Sequence, residues 1–252
     1  MELAPPVDLA ELQIAGVLGR GASATVYAAE AAGVALALKV GHRPEHGRRL
    51  AQEGRMLLRA QHPAVPRLLG AGWVDASEGG ELRPALALAR VEGEPLVAQA
   101  TSAELTVQLG AQLARAVDAL HAGGVAHGDL KPENVVVSRG GALHVLDLGL
   151  AREAAERELE GATPRYLARG DRDLGDGRQR DLLALGLMLA ELAEPTLRGS
   201  SELLRDARAA SLPAPLGEVC AALLAPSPDA RPRAGWVAEA PRVRCLSASR
   251  RP

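Results

Sequence analysis

Four polar side chains near the middle of the chain have types and a spacing that could support chemistry. Asp129 is followed by Lys131 two residues later and by Asn134 five residues later, and Asp147 follows Asp129 by eighteen residues. A loop carboxylate can accept the proton of a hydroxyl group, and a lysine can balance charge on a phosphate. Asparagine and aspartate offer oxygen ligands to Mg²⁺. Each residue alone could be a turn or capping residue, but together they predict a phosphoryl-transfer site with Asp129 as base and with Asn134 and Asp147 as metal ligands.

A second group of candidate residues lies near the N-terminus. Gly19 and Gly21 stand between two strand-like runs, where backbone N–H groups could approach phosphate oxygens without a side-chain clash. An ordinary hairpin turn is also compatible with this pair. Lys39 lies in an apolar strand, where its charge needs a partner, and phosphate and Glu53 on the following helix could supply two. Taken singly, Lys39 fits a solvated edge strand and Glu53 a solvated helix face.

Hydrophobic patterning predicts mostly strands before residue 92 and mostly helices after residue 95. Before the break, the predicted strands are 12–18, 25–29, 34–40, 65–73 and 82–89, and the predicted amphipathic helix is 44–61. After it, the predicted elements are a capping box at 101–104, a helix through 105–120, a hairpin of 135–137 and 143–146, and a buried helix at 182–192.

This order of elements predicts an α+β protein of two lobes. We expect a small antiparallel β-rich N-lobe with one helix and a larger, mainly α-helical C-lobe. The predicted bounds are about 1–89 for the N-lobe, 89–94 for the hinge, about 95–245 for the C-lobe and 246–252 for a short basic tail. The domain as a whole is expected to span 12–245.

Composition narrows the class of protein further. The 252 residues are 47% hydrophobic and 24% charged, with a formal net charge of −2, so no global basic field indicates a nucleic-acid partner. The first residues lack the basic and apolar regions of a signal peptide, and no uncharged apolar run reaches the roughly 18 residues of a membrane helix. We therefore expect a soluble, cytoplasmic protein.

Several motifs together resemble the eukaryotic-like protein kinase family, in its bacterial type, from about Leu12 to Pro232. The motifs are the run from Leu120 to His127, the sequence Asp-Leu-Lys-Pro-Glu-Asn at 129–134, Thr163-Pro164, Asp181 with Ala-Leu-Gly at 184–186, and Arg231-Pro232. The wording of 129–134 is similar to the serine/threonine branch. The resemblance implies ATP and Mg²⁺ as cofactors and a protein substrate with a Ser or Thr hydroxyl.

The resemblance also implies roles for residues that spacing alone does not assign. Leu18, Val26, Ala37 and Val136 would surround adenine, Leu88 would be the gatekeeper, and Ala89 to Val91 would form the hinge. Thr163 would bond to Asp129 and Lys131 in the acceptor pocket, and Asp181 would tether the catalytic loop.

The chain departs from the family pattern at several positions. Gly128 stands where many of these kinases have an arginine that receives a phosphate from the activation loop, and residues 150–162 contain no Ser, Thr or Tyr. We therefore expect that phosphorylation in that stretch does not switch the protein on. Residues 168–170 are Ala-Arg-Gly in place of Ala-Pro-Glu, so Arg231 would need another acid, such as Asp171 or Asp173. Only fifty residues separate Asp181 from Arg231, so part of the substrate-docking region is expected to be short.

Two alternatives to an active protein kinase remain open from the sequence. A pseudokinase would bind nucleotide or act as a scaffold. The altered 168–170 segment counts for this class. Against it counts the presence of all six expected polar groups: Lys39, Glu53, Asp129, Lys131, Asn134 and Asp147. A small-molecule kinase of the aminoglycoside and choline kinase group shares the His-Gly-Asp wording at 127–129, but that group lacks the Thr163-Pro164 segment.

Overall fold

The first half of the chain forms a five-stranded antiparallel sheet with one helix packed on it. The structure, a computed structural model, describes residues 12–75, 81–96, 103–156, 175–198, 200 and 202–240. The strand order is β1-β2-β3-β5-β4. The bounds are β1 Gln13–Arg20, β2 Ala24–Ala31, β3 Val34–Gly41, α1 Gly47–Arg59, β4 Leu68–Asp75 and β5 Leu82–Ala89.

Strand register decides which side chains of this sheet share a face. Val26 is opposite Lys39, and Ala37 is opposite Leu88. Because residues two apart on a strand point to the same side, all four lie on one face. Helix α1 covers part of that face with Leu50, Met56 and Leu57, which cluster with Leu86 of β5. The other face carries a separate apolar cluster that contains Leu36, Leu38 and Val40.

The second half is mainly helical, with short strands near the junction between the halves. Its bounds are β6 Glu94–Pro95, α2 Ala103–Ala122, β7 Val125–Ala126, β8 Val135–Val137, β9 Leu143–Val145, β10 Arg152–Glu153, α3 Gly177–Ala193, α4 Leu203–Ala209 and α5 Leu216–Leu223. Residues 234–240 form a further helical segment. Strand β6 pairs with β8, which pairs with β9, and β10 pairs with β7.

Helices α2 and α3 form the centre of the second core. Leu113 and Val117 of α2 and Leu183, Leu187 and Met188 of α3 are almost fully buried and belong to one cluster. A local feature of the sequence marks the start of α3 and the end of α2. The Asp176 side chain caps α3 by accepting from the Gln179 N–H, and α2 ends before Gly124, which has a φ of +74°.

The segment that joins the two halves passes close to β8. A Cβ added at Gly93 would lie 2.3 Å from the Val137 carbonyl oxygen, so only glycine allows this approach. The predicted α+β class, with a strand-rich lobe and a helical lobe, is confirmed. None of the helices in the described ranges is long and apolar enough to cross a membrane.

Several predicted element boundaries were wrong. Strand β1 continues through Gly19 to Arg20, so the turn comprises only 21–23. Strand β4 begins at Leu68 rather than residue 65, because Pro66 has no N–H for a sheet ladder and the Val65 N–H bonds to His62 in a turn. The predicted helix at 44–61 is a 3-10 turn over Pro44–His46 followed by α1. Residues 101 and 102 of the predicted capping box lie outside the described residues.

Candidate active site

Lys39 on β3 joins two carboxylates from different parts of the chain. Its Nζ lies 2.8 Å from both carboxylate oxygens of Glu53 on α1 and 2.7 Å from Oδ1 of Asp147. Lys39 and Glu53 are buried, whereas 52% of the Asp147 side chain is exposed. The predicted pairing of Lys39 with Glu53 is therefore present, and Asp147 is an additional partner.

The pKa values in this cluster follow from one ammonium shared by two carboxylates. Burial alone would lower the pKa of Lys39, but Glu53 and Asp147 outweigh it and raise that pKa above its usual value. Burial raises the pKa of Glu53 despite the opposing charge of Lys39. Burial also acts to raise the pKa of Asp147, yet Lys39 and the Gly149 N–H hold it below its usual value. The half-exposed carboxylate therefore stays ionised most readily.

The turn at residues 147–149 has an unusual backbone. Asp147 has a φ of +59°, in the left-handed region that few side chains adopt. The Gly149 N–H donates to Asp147 Oδ1 at 3.1 Å. A Cβ at Gly149 would lie 2.9 Å from that oxygen and 3.3 Å from Lys39 Nζ, so the turn leaves no room for a side chain there. Leu148, between them, is buried against α1 in the same cluster as Leu57.

The predicted catalytic loop brings its three polar side chains together. Lys131 Nζ donates to Asp129 Oδ2 at 2.6 Å. The Asn134 amide donates to the Asp129 carbonyl oxygen at 2.9 Å and to Asp129 Oδ2 at 3.3 Å. Because the Asn134 NH₂ group is directed at Asp129, its amide oxygen is left as an acceptor or metal ligand.

Asp181 of α3 holds the start of this loop through the backbone. Its Oδ2 accepts from the His127 N–H at 2.7 Å and contacts His121 Nε2 at 2.9 Å, and its Oδ1 accepts from the Gly128 N–H at 3.0 Å. The side chain is almost wholly buried. Burial would raise the pKa of Asp181, but its bonds to His121 and to the Gly128 N–H lower it. The geometry fits the tether that the family resemblance implied.

The His127 ring connects the loop to the strand that leads into Asp147. The Asp129 N–H donates to Nδ1 at 3.3 Å, so Nδ1 is the acceptor and Nε2 carries the proton that is donated to the Leu146 carbonyl, at 3.0 Å. The Leu146 N–H in turn donates to the Asn134 carbonyl oxygen at 2.7 Å. Both the carbonyl and the N–H of Leu146 are thus hydrogen-bonded to the catalytic loop, which brings the backbone of Asn134 next to the residue before Asp147.

Gly128 is required by the backbone around it. Its φ is +78°, and an added Cβ would lie 2.5 Å from the Leu150 carbonyl oxygen. An arginine at this position would therefore need a different backbone arrangement from the one seen here. The sequence shows the departure, and the structure supplies its physical reason.

The residues expected around adenine lie on the same sheet face as Lys39 or just below it. Val26, Ala37 and Leu88 share that face through the β2–β3–β5 register, and each is partly exposed. Leu18 on β1 is half-exposed, while Val136 on β8 is buried on the other side of the junction. Four of these five side chains thus belong to the N-lobe sheet, and Val136 belongs to the β6-β8-β9 sheet.

Two arginines make contacts that sequence reasoning did not predict. Arg49 on α1 donates from Nε to the Gly149 carbonyl at 3.1 Å. Arg180 on α3 donates to the carbonyls of Glu156 and Gly175 at 2.9 and 3.0 Å. Arginines bonded to backbone carbonyls leave no partner signature in the sequence.

Arg231 was expected to need an acid. It is buried, and it donates to the backbone carbonyls of Ala225 and Gln179 at 3.1 and 3.0 Å. The suggested partners Asp171 and Asp173 lie outside the described residues. The same is true of Thr163 and of the Ala-Arg-Gly segment at 168–170.

The two-lobed fold and the arrangement of Lys39, Asp129 and Asp147 are those of a protein kinase domain. The chain belongs to the protein kinase domain family, which it matches over residues 12–207. It is 37% identical over 149 residues to the serine/threonine-protein kinase pkn2 of Myxococcus xanthus, covering 54% of this chain and 17% of that protein. The expected family, the eukaryotic-like serine/threonine protein kinases of bacterial type, is confirmed.

Two further relatives match over more of the chain. The serine/threonine-protein kinase PkaA of Streptomyces coelicolor is 32% identical over 274 residues, covering 90% of this chain and 48% of that protein. The DNA damage-responsive serine/threonine-protein kinase RqkA of Deinococcus radiodurans is 32% identical over 224 residues, covering 80% of this chain and 33% of that protein. This chain thus spans less than half the length of each of the three relatives.

Proposed function

We propose that this protein transfers the γ-phosphate of ATP to a serine or threonine hydroxyl of a protein substrate. The observation that carries the proposal is the pair of hydrogen bonds by which the Leu146 carbonyl and N–H contact His127 and Asn134 of the catalytic loop. It aligns Asn134 with Asp147, while Lys39 reaches Asp147 from the other lobe. The charged groups that phosphoryl transfer needs would therefore border one cleft. The serine/threonine-protein kinase names of the relatives support the choice of acceptor.

The residues present fit a magnesium ion. Asp147 uses one carboxylate oxygen for Lys39 and Gly149, which leaves the other, and Asn134 leaves its amide oxygen. Across the described ranges, no three His, Cys, Asp or Glu side chains form a metal-binding group. A metal held by Asn134 and Asp147 would complete its shell with phosphate oxygens and water, as Mg²⁺ commonly does. Such an ion would neutralise charge on the phosphates.

The apolar side chains on β1, β2, β3, β5 and β8 would suit the rest of a nucleotide. Leu18, Val26, Ala37, Leu88 and Val136 would contact the adenine ring on its two faces. A Cβ at Gly19 would meet no atom within 4 Å, so packing within the described residues does not require glycine there. Approach of the Gly19 and Gly21 backbone to phosphate oxygens would account for both glycines.

The catalytic loop can perform the proton transfer. Asp129 would accept the proton of the substrate hydroxyl. The hydroxyl oxygen would bond to the γ-phosphorus while the bond from that phosphorus to the ADP oxygen breaks. Lys131, bonded to Asp129, would balance charge on the transferred group. Asn134 fixes the position of Asp129 through its two hydrogen bonds. The role of Thr163 in the acceptor pocket remains part of this proposal.

Substitution of the base tests the proposal. Asp129→Asn keeps the size of the side chain but cannot take a proton, so transfer of label from radiolabelled ATP with Mg²⁺ to a generic basic protein should fall at least about hundredfold. Binding of ATP should change little. The exposed aspartate in Asp229→Asn is a matched control for the same chemical change.

The same assay separates the alternatives. Equal labelling by the wild-type protein and by Asp129→Asn would refute the catalytic assignment. Binding of ATP by a wild-type protein that labels no acceptor would indicate a pseudokinase. Labelling of an aminoglycoside or choline, with none of the protein acceptor, would indicate a small-molecule kinase.

A further inference from the structure

Helix α1 carries Glu53, so the placement of this helix decides whether the contact with Lys39 forms. Leu50, Met56 and Leu57 attach α1 to the N-lobe sheet and to Leu148. Apolar packing of this kind is non-directional. It sets the distance between helix and sheet better than it sets the rotation or sliding of the helix. A directional contact near Glu53 would fix the remaining freedom.

Arg49 supplies such a contact, although its position in the helix is electrostatically unfavourable. It lies in the first turn of α1, which contains no acidic residue, and a helix N-terminus carries partial positive charge. Its Nε donates to the Gly149 carbonyl oxygen at 3.1 Å, joining residues 100 positions apart. The contact gives a reason for placing an arginine at this end of the helix.

The carbonyl that Arg49 contacts belongs to the turn that positions Asp147. The Gly149 N–H donates to Asp147 Oδ1, and the Asp147 carboxylate contacts Lys39. One arginine therefore links the helix that carries Glu53 to the turn that carries the proposed metal ligand. Glu53 lies one helical turn beyond Arg49 on α1.

The other end of α1 is joined to the same stretch of chain. Arg59, in the last turn, forms an ion pair with Glu153 on β10. Arg49 and Arg59 are ten residues apart, or about 15 Å along a helix, and residues 149 and 153 are separated by up to about 14 Å when extended. The segment 149–153 thus runs beside α1 with one contact at each end, and neither contact involves a Ser, Thr or Tyr hydroxyl that could be phosphorylated.

Gly128 of the catalytic loop lies close to the same stretch. The Leu150 carbonyl lies against Gly128, where a Cβ would be 2.5 Å away. Residue 128 is therefore not an arginine that could receive a phosphate, and the carbonyl next to Leu150, that of Gly149, accepts from Arg49.

We propose that Arg49 is a positioning residue that holds α1 and the 147–149 turn together, so that the Lys39, Glu53 and Asp147 cluster is assembled without phosphorylation of the chain. This proposal rests on the proposed kinase function and names how the same site is kept in order. Arg49 touches neither ATP nor the acceptor in this scheme, and it acts through Gly149 and Glu53.

The test compares Arg49→Met with Arg48→Met in phosphatase-treated protein whose mass confirms that it is unmodified. Arg48 is its neighbour in the same helical turn, is exposed like Arg49 and has the same charge. Hydrogen exchange of the 47–59 amides, measured without ATP, should be roughly three- to tenfold faster in Arg49→Met and unchanged in Arg48→Met. The kcat for phosphoryl transfer should fall by a similar factor, with a smaller change in KM for ATP.

A conservative variant separates positioning from a general loss of structure. Arg49→Lys keeps a charged donor that can reach the carbonyl, so it should recover at least half of the lost exchange protection and kcat. If Arg49→Met is unfolded at room temperature, Arg49→Lys becomes the test variant. Its 47–59 amides should then exchange faster than those of the wild-type protein but remain partly protected.

Two results would overturn the proposal. One is equal protection of residues 47–59 in Arg49→Met and Arg48→Met. The other is rapid exchange of that helix in the phosphatase-treated wild-type protein, because the Arg49 contact would then not suffice. Since exchange is measured without ATP, a wild-type protein that transfers no phosphate would refute the proposed function and leave this comparison interpretable.

Discussion

Two aspartates hold neighbouring parts of the molecule in opposite ways. Asp181 on α3 binds the start of the catalytic loop at 127–134, and Asp147 belongs to the turn at 147–149. Asp181 is buried and accepts from two backbone N–H groups, and it also contacts a histidine ring. Asp147 is half-exposed and contacts one lysine and one backbone N–H. A carboxylate whose oxygens are all used inside the protein stabilises a backbone conformation. A carboxylate with an oxygen directed to the cleft can bind a ligand.

Substitution of Asp147 should affect activity far more than folding. Asp147→Asn preserves the size of the side chain, and asparagine tolerates the left-handed backbone that this position requires. We expect phosphoryl transfer to fall at least about hundredfold, because the proposed metal ligand loses its negative charge. The free energy of unfolding, from urea titration, should change by less than about 1 kcal/mol. A large loss of stability with retained activity would contradict the distinction between the two aspartates.

The same substitution at Asp181 should mainly affect folding. In Asp181→Asn an NH₂ group replaces one oxygen, so at least one buried N–H donor loses its acceptor. We expect the free energy of unfolding to fall by about 3 kcal/mol. Urea titration of Asp181→Asn beside Asp147→Asn makes the comparison directly. Equal stability of the two variants would show that burial does not separate their roles.

Two glycines with the same φ test whether Gly128 is fixed by strain or by crowding. Gly128 and Gly141 both have a φ of +78°, but an added Cβ meets the Leu150 carbonyl at residue 128 and nothing within 4 Å at residue 141. Gly141→Ala should cost about 1 kcal/mol for its left-handed backbone. Gly128→Ala should cost about 2 kcal/mol more, because the backbone must also move. Similar unfolding midpoints for the two variants would leave φ alone as the reason for glycine.

The smallest expected effect is a pH dependence of the Asp181 contribution. The pKa of Asp181 is lowered in the folded protein, so its stabilisation is present above the ordinary value of 3.8 and is lost as the pH falls through the folded value. The difference in unfolding free energy between the wild-type protein and Asp181→Asn should therefore be constant near neutral pH and shrink below pH 3.8. Shrinkage that is already complete at pH 5 would assign the effect to other groups.

The sequence predicted which side chains come together where residue type and local order decide their proximity. Asp129, Lys131 and Asn134 lie within six residues of one loop, so their nearness in sequence was enough to predict that they come together. The pairing of Lys39 with Glu53 was inferable because a buried lysine needs an opposite charge. Strand and helix types were also predictable from apolar periodicity.

Contacts to the backbone could not be predicted in the same way. Arg49 and Arg180 bond to carbonyl groups, which every residue possesses, so no partner residue marks these contacts in the sequence. Gly128 was visible only as a departure, because the crowding by Leu150 depends on the tertiary structure. Strand β4 began later than expected because the apolar pattern continued across Pro66, where the ladder could not.

Arg180 has a consequence for how this protein can diversify. Its guanidinium binds the carbonyls of Glu156 and Gly175, so the eighteen residues between them leave and return at one point on α3. For a flexible connection, doubling the length between fixed ends costs only about 0.6 kcal/mol. A segment of different length or sequence could therefore be grafted between these two positions while the Asp181 contacts stay in place. Thr163, the proposed acceptor-pocket residue, belongs to this segment, so under the proposed function such a graft would change acceptor preference.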